Sequence, residues 1–158
     1  MKKIYIVMLF FQFYGFSQLL TLNDILFLKD NDLYNAKNLL VKKGWYVKSE
    51  LMPDKTSAGT FAFAVESERS DRDYATYESF VEYRFNINSS SAKEIEYSTT
   101  SEKAYYLILG QLKSLNFKKR STEGSKITYI KSDMVIEIDT KEKHNLVEKY
   151  YFIKASKI

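Results

Sequence analysis

The chain has 158 residues, 24 of them basic and 20 acidic, with one histidine and no cysteine. The missing cysteines exclude a disulfide framework and a thiolate zinc site, so the fold must stand on its core alone. Two of the basic residues, Lys2 and Lys3, open the chain, and without them the formal charge falls from +4 to +2. An excess that small gives no footing for nucleic-acid binding.

Chain order begins with a leader. Lys2 and Lys3 precede an apolar run from Ile4 to Phe16, broken by Gln12 alone among strongly polar residues. Gly15 and Ser17 then stand at −3 and −1 before Gln18. This is the layout of a secretory signal peptide, and the run is shorter than the ~20 residues of a comfortable bilayer span. Residues 1–17 are expected to be removed, leaving a periplasmic or secreted protein without a stable membrane anchor. The lack of a cysteine at the cleavage site closes the lipoprotein route.

Thr21 and Asp24 have capping-box spacing, with Leu22, Ile25, Leu26 and Leu28 behind them. Lys29–Asp32 interrupts this helix. A second helix carries Leu33, Ala36 and Leu40 and ends at Gly44. From Trp45 the apolar period changes from 3.6 to 2. Strands are expected over 45–50, 61–65, 77–85 and 94–97, with a loop over 52–60. Thr99 and Ser101 are cap candidates for a helix over about 101–115, striped by Ala104, Ile108, Leu112 and Leu115. Gly110 inside it weakens the helix and suggests close approach of a strand. Strands follow over 117–121, 126–131, 134–139 and 148–155, with Gly124 and Ser132–Asp133 at turns.

Val41–Trp45 and Lys113–Phe117 are 72 residues apart, and each joins a helix to a strand through Gly44 or Asn116 followed by an aromatic. The expectation is an α+β fold of two duplicated α-β4 units, antiparallel sheets with helices packed on one face. The units would span 18–99 and 100–158 within one compact domain. Phe61, Phe63, Val65, Val81, Tyr83, Phe85, Ile95, Met134, Ile136, Ile138 and Phe152 would face the helices. Glu78, Phe80, Glu82, Arg84, Glu94, Glu96, Glu137 and Asp139 would line the other face, which an antiparallel sheet can leave wet.

The leader, the 20 lysines against 4 arginines, and the wealth of Ile, Tyr and Phe resemble the small exported proteins of Gram-negative bacteria of the Bacteroidetes type. The element order resembles the tandem α-β4 modules of the β-lactamase-inhibitory protein type. Each unit is also similar to the αα-β modules of outer-membrane assembly lipoproteins. Both families differ from this chain in having cysteines, and element order does not fix function.

Chemistry-bearing constellations are few. His144 lies in the polar stretch Lys141–Asn145 and has no second histidine to share a metal. Glu66, Glu68, Asp71 and Asp73 offer oxygens for a calcium ion, but Arg69 and Arg72 sit among them and a charged connection is the simpler reading. Glu78 and Glu82 flank Phe80 on one strand, about 13 Å apart at ~3.3 Å per residue, too far for a glycosidase pair. Glu82 with Glu94 or Glu96 across strands is the better candidate. Lys118–Arg120 reads as a charged strand edge that blocks unwanted pairing. Asn88–Ser90 matches a glycosylation sequon, idle in a bacterial setting.

No catalytic residue, metal ligand or cofactor is assigned. Exposed aromatics are expected at Tyr46, Phe80 and Tyr151, and aromatics and arginine dominate binding hot spots. The reading is an exported, non-catalytic interaction module of the cell envelope that meets a protein partner through Tyr46, Phe80, Glu82 and Arg84. The alternatives are an envelope glycan hydrolase using a carboxylate pair, and an inhibitor or immunity-type protein.

Overall fold

A computed structural model describes residues 18–54, 57–66, 77–86, 89, 91–142 and 149–158. The expected leader 1–17, most of the Glu66–Asp73 cluster, Asn88 and His144 lie outside the described residues, as does the side chain of Glu78.

Local capping chemistry sets the helices. Helix α1 (Leu22–Asp30) starts at a capping box: the Asp24 amide donates to Thr21 Oγ1 at 3.1 Å, and the Thr21 amide donates to Asp24 Oδ2 at 2.8 Å. Helix α2 (Leu33–Lys42) starts at Asp32, whose Oδ1 accepts from the Asn35 amide at 2.8 Å. Helix α3 (Glu102–Ser114) is capped by Ser101, whose hydroxyl accepts from the Ala104 amide at 3.3 Å.

The C-termini of α2 and α3 close alike. The Gly44 amide donates to Val41 O at 2.9 Å and the Trp45 amide to Leu40 O at 3.0 Å. The Asn116 amide donates to Lys113 O at 3.1 Å and the Phe117 amide to Leu112 O at 2.9 Å. Both hinge residues are left-handed, Gly44 at φ +85° and Asn116 at φ +61°. Gly110 differs from its expectation: a Cβ there would meet nothing within 4 Å, so no strand approaches it.

Eight strands follow in chain order: β1 (Tyr46–Leu51), β2 (Gly59–Glu66), β3 (Tyr77–Phe85), β4 (Glu94–Thr99), β5 (Lys118–Glu123), β6 (Lys126–Lys131), β7 (Met134–Glu142) and β8 (Lys149–Lys157). They make an α+β protein with one antiparallel sheet in the order β1-β2-β3-β4-β8-β7-β6-β5. The two expected runs of four strands are present, but they share a single sheet because β4 pairs with β8, Tyr97 opposite Ile153. The two edge strands also match. In each the register slips once, between Val47 and Ser49 in β1 and between Lys119 and Ser121 in β5. Lys48 and Arg120 are therefore the bulged residues, again 72 positions apart.

Strand alternation separates two faces. One is apolar from β2 to β7: Phe61, Tyr83, Ile95, Ala155 and Ile136 are cross-strand neighbours, as are Phe63, Val81, Tyr97, Ile153 and Ile138. These side chains share one cluster with Leu22, Ile25 and Leu28 of α1, Leu40 of α2, and Ile108 and Leu112 of α3. Each such burial stabilises by roughly 1.5–3 kcal/mol. Phe152 is a correction. It lies opposite Ser98 and Asp139 on the second face, while its neighbour Tyr151, expected to face solvent, is buried and stacks on Tyr105 with ring centroids 4.3 Å apart.

Polar ties hold α1 in place. Gln111 Oε1 accepts from the Leu22 amide at 2.7 Å, and Lys157 pairs with Asp30 at 3.0 Å. Lys29 is buried and donates to Ala92 O at 2.7 Å; burial, then the nearby Lys157, pushes its ammonium down from the usual lysine value. Tyr83, 1% exposed, donates to Asn31 O at 2.7 Å across the α1–α2 junction.

Two predictions follow from these contacts. Gly44→Ala forces Cβ into the left-handed region and is expected to cost about 1–2 kcal/mol in urea denaturation, whereas Gly110→Ala gains up to about 1 kcal/mol. Tyr83 is pushed up to about 12, first by burial and then by Asp32. Its contribution is complete below pH 10 and lost as pH rises from 10 through 12, because only the unfolded phenol ionises in that window. Tyr83→Phe is therefore expected to be less stable than the parent at pH 8 by about 1 kcal/mol. The gap should narrow or reverse by pH 12 in a pH series of denaturant midpoints.

Candidate functional site

The second face of the sheet brings the four expected site residues together. Tyr46, Ala64, Phe80, Ser98, Phe152 and Asp139 are successive cross-strand neighbours, a row running from the β1 edge to β7. Ala62, Glu82, Glu96, Lys154 and Glu137 form the adjoining row, and Thr60, Arg84, Glu94 and Ser156 the next. Tyr46 is 37% exposed, and Phe80, Glu82 and Arg84 are half-buried. Ala62 and Ala64 are buried despite pointing to this face. Being small, they sit low between larger neighbours, Ala64 between Tyr46 and Phe80.

Arg84 organises the charges. Its Nη1 reaches Glu94 Oε1 at 2.5 Å, and its Nη2 reaches Glu82 Oε2 at 2.5 Å and Glu96 Oε2 at 3.4 Å. Nε adds a bond to Glu82 Oε2 at 3.1 Å. The planar fork of arginine suits this multiple engagement of carboxylates. The guanidinium is pushed up above its usual value, the Glu82 hydrogen bond being the main cause. Lys154 adds a second cation, 2.5 Å from Glu94 Oε2. Three acids thus share two cations, and the cluster keeps a net negative charge. Further along the face Lys126 pairs with Glu137 at 2.6 Å and Lys141 with Asp139 at 3.6 Å.

The cross-strand acid pair of the sequence reading exists, since Glu82 lies directly opposite Glu96. Arg84 bridges the two, which makes them members of an ion-pair cluster; a general acid in a glycosidase instead needs surroundings that keep its proton on. Among the described residues no three His, Cys, Asp or Glu side chains group as metal donors. Sequence reasoning missed Phe152 and Lys154. Tyr150–Ile153 is apolar at every position, so no alternation marks which of its residues face outward. Phe152 carries Lys141 Nζ over its ring, 4.9 Å from the centroid.

No family model, curated protein or solved structure matches this chain.

Removing the central cation leaves Glu82, Glu94 and Glu96 with Lys154 alone. Arg84→Gln is expected to lower stability by about 0.5–1 kcal/mol at low ionic strength. That loss should shrink in ~0.5 M salt, where repulsion between the acids is screened. Chemical denaturation of both proteins at two ionic strengths measures it.

Proposed function

We propose that the protein is an exported, non-catalytic interaction module of the cell envelope, and that its Arg84 face receives a protein partner. The observation that carries this reading is the gathering of Tyr46, Phe80, Phe152 and the Arg84 cluster on one half-exposed sheet face. Rigid aromatics beside a multiply engaged arginine are the groups that supply most binding energy in protein interfaces. Their rotamers are already restricted by strand neighbours, which lowers the ordering cost of association. The net negative cluster suits a partner with a basic patch.

Export is proposed from the leader alone: Lys2 and Lys3, the apolar run and the small residues Gly15 and Ser17. The mature protein then begins at Gln18 in the periplasm or outside the cell, as in the Bacteroidetes-type proteins the chain resembles. We also infer a duplicated α-β4 unit with the helices on one face of the sheet, related to the β-lactamase-inhibitory protein type in element order. Support comes from the matching C-terminal hydrogen bonds of α2 and α3, the two left-handed hinges and the two edge bulges, all at the same 72-residue offset. Contacts from the helix side reach the Phe63 face: Lys37 of α2 pairs with Glu50 at 3.9 Å, and Tyr83 reaches Asn31.

An inhibitor or immunity-type role uses the same face and differs only in the identity of the partner. The glycan-hydrolase alternative is disfavoured by Arg84, which lies between Glu82 and Glu96. The test is affinity capture from cell envelopes, comparing the parent with Tyr46→Ala/Phe80→Ala. The expected outcome is a discrete partner retained by the parent and lost by the variant. Equal recovery by both rejects this face. Intact mass of the exported protein, expected to begin at Gln18, checks the leader in the same preparation.

A further inference from the structure

We propose that the β5 edge of the sheet holds a second site, a groove for a small ligand carrying two or more phosphate or sulfate groups. This goes beyond the partner face and is independent of it. The groove encloses about 510 Å³ and is open to solvent. That is within the range of small-molecule sites. Four cations line it, Lys118, Lys119 and Arg120 from β5 and Lys131 from the end of β6. Ile130 supplies an apolar wall.

These four cations line one groove that has no acid among its lining residues. Elsewhere on the sheet Arg84, Lys126, Lys141 and Lys154 are each neutralised by carboxylates. Among the described residues no carboxylate lies within 4.0 Å of Lys118, Lys119, Arg120 or Lys131. Lys131 instead rests over the Phe117 ring, 5.9 Å from its centroid. Four like charges along one groove without an acid in its lining give it a positive potential that favours an anion.

Edge protection does not account for so many charges. The opposite edge strand carries one lysine and one acid, Lys48 and Glu50, so its charges balance. At the 72-residue offset Lys118, Lys119 and Arg120 correspond to Tyr46, Val47 and Lys48. The backbone is alike in the two places, bulge included, yet only the β5 end is wholly basic. The bulge takes Arg120 out of the pairing register, so the three consecutive residues do not simply alternate between faces. The rim is set by Asn116 and Ser132, the non-glycine residues with positive φ among those described, at +61° and +53°. Each holds a turn next to a basic segment: Asn116 leads into β5, and Ser132 leaves β6 in the hairpin that pairs Lys131 with Met134. Arginine and lysine together suit a polyanion, arginine by its fork and lysine as a mobile point charge.

The experiment titrates the intact chain with sodium pyrophosphate by calorimetry and backbone amide NMR. A parallel arm measures sedimentation with vesicles of phosphatidylglycerol or phosphatidylcholine. Saturable binding tighter than about 1 mM is expected, weakening as salt rises, with perturbed amides at 116–120 and 130–132. Lys119→Glu/Lys131→Glu is expected to bind pyrophosphate at least about 10-fold more weakly, while Lys149→Glu, outside the groove, binds like the parent. All three replacements are at exposed positions, and matching circular dichroism melts verify the fold. Lys119→Gln/Lys131→Gln gives the same comparison without charge reversal. Binding to phosphatidylglycerol vesicles that the Glu variant also loses assigns the phosphate to a lipid headgroup; pyrophosphate binding alone assigns it to a free molecule. Undiminished binding by both double variants, perturbation mapped elsewhere, or no binding to any probe overturns the proposal.

Discussion

The structure depends on the pairing of β4 with β8. Without it, the two runs of four strands would be separate sheets. The antiparallel register that sets Ile95 opposite Ala155 and Tyr97 opposite Ile153 joins the runs into one surface. Helix α1 lies against both of these central strands, so its Leu22, Ile25 and Leu28 bury over the seam itself. The polar ties of α1 reinforce this position from both ends. Gln111 of α3 holds its first turn, and Lys157 of β8 pairs with Asp30 at its last residue. Sheet continuity and helix placement are thus one constraint: loss of the seam removes the floor beneath the helix that binds everything else.

Without disulfides, the fold also uses polar contacts at places where hydrophobic burial cannot fix geometry. Lys29 illustrates the balance. Its stem crosses apolar surroundings and its ammonium meets a backbone carbonyl, Ala92 O, so desolvation is offset by a hydrogen bond that ties α1 to the entry of β4. Ser79 and Thr99, both buried, satisfy one another at 2.8 Å across β3 and β4, and Thr99 Oγ1 also accepts from the Ser101 amide at the start of α3. On the outer face Arg84 does similar work among carboxylates. In every case a polar contact joins residues from different elements.

Most local structure was legible in the chain, because caps and turns are written in a few residues. Thr21–Asp24, Asp32, Ser101, Gly44 and Asn116 all do what their short-range chemistry requires. Strand β3 was legible because Val81 and Tyr83 alternate with Glu82 and Arg84. Strand β8 was legible as a strand but not in its phase, since Tyr150, Tyr151, Phe152 and Ile153 give no polar alternation; its register is fixed by neighbours on both sides. The union of the strand runs into one sheet was also hidden, for pairing between β4 and β8 leaves no trace at short range. The candidate face was half legible: Tyr46, Phe80, Glu82 and Arg84 followed from alternation, whereas Lys154 and Phe152 needed the central seam. The basic groove was read as an edge, which it is; its concavity depends on the turns at Asn116 and Ser132.

The position of β8 has a consequence for biosynthesis. This strand is the last in sequence among those described yet fills a middle place in the sheet, so its nine residues must slot between two partners made before it. Until it arrives, β4 and β7 both present open hydrogen-bonding edges. For the same reason, shortening the C-terminal strand would open a gap in the middle of the protein, where trimming β1 would merely narrow it.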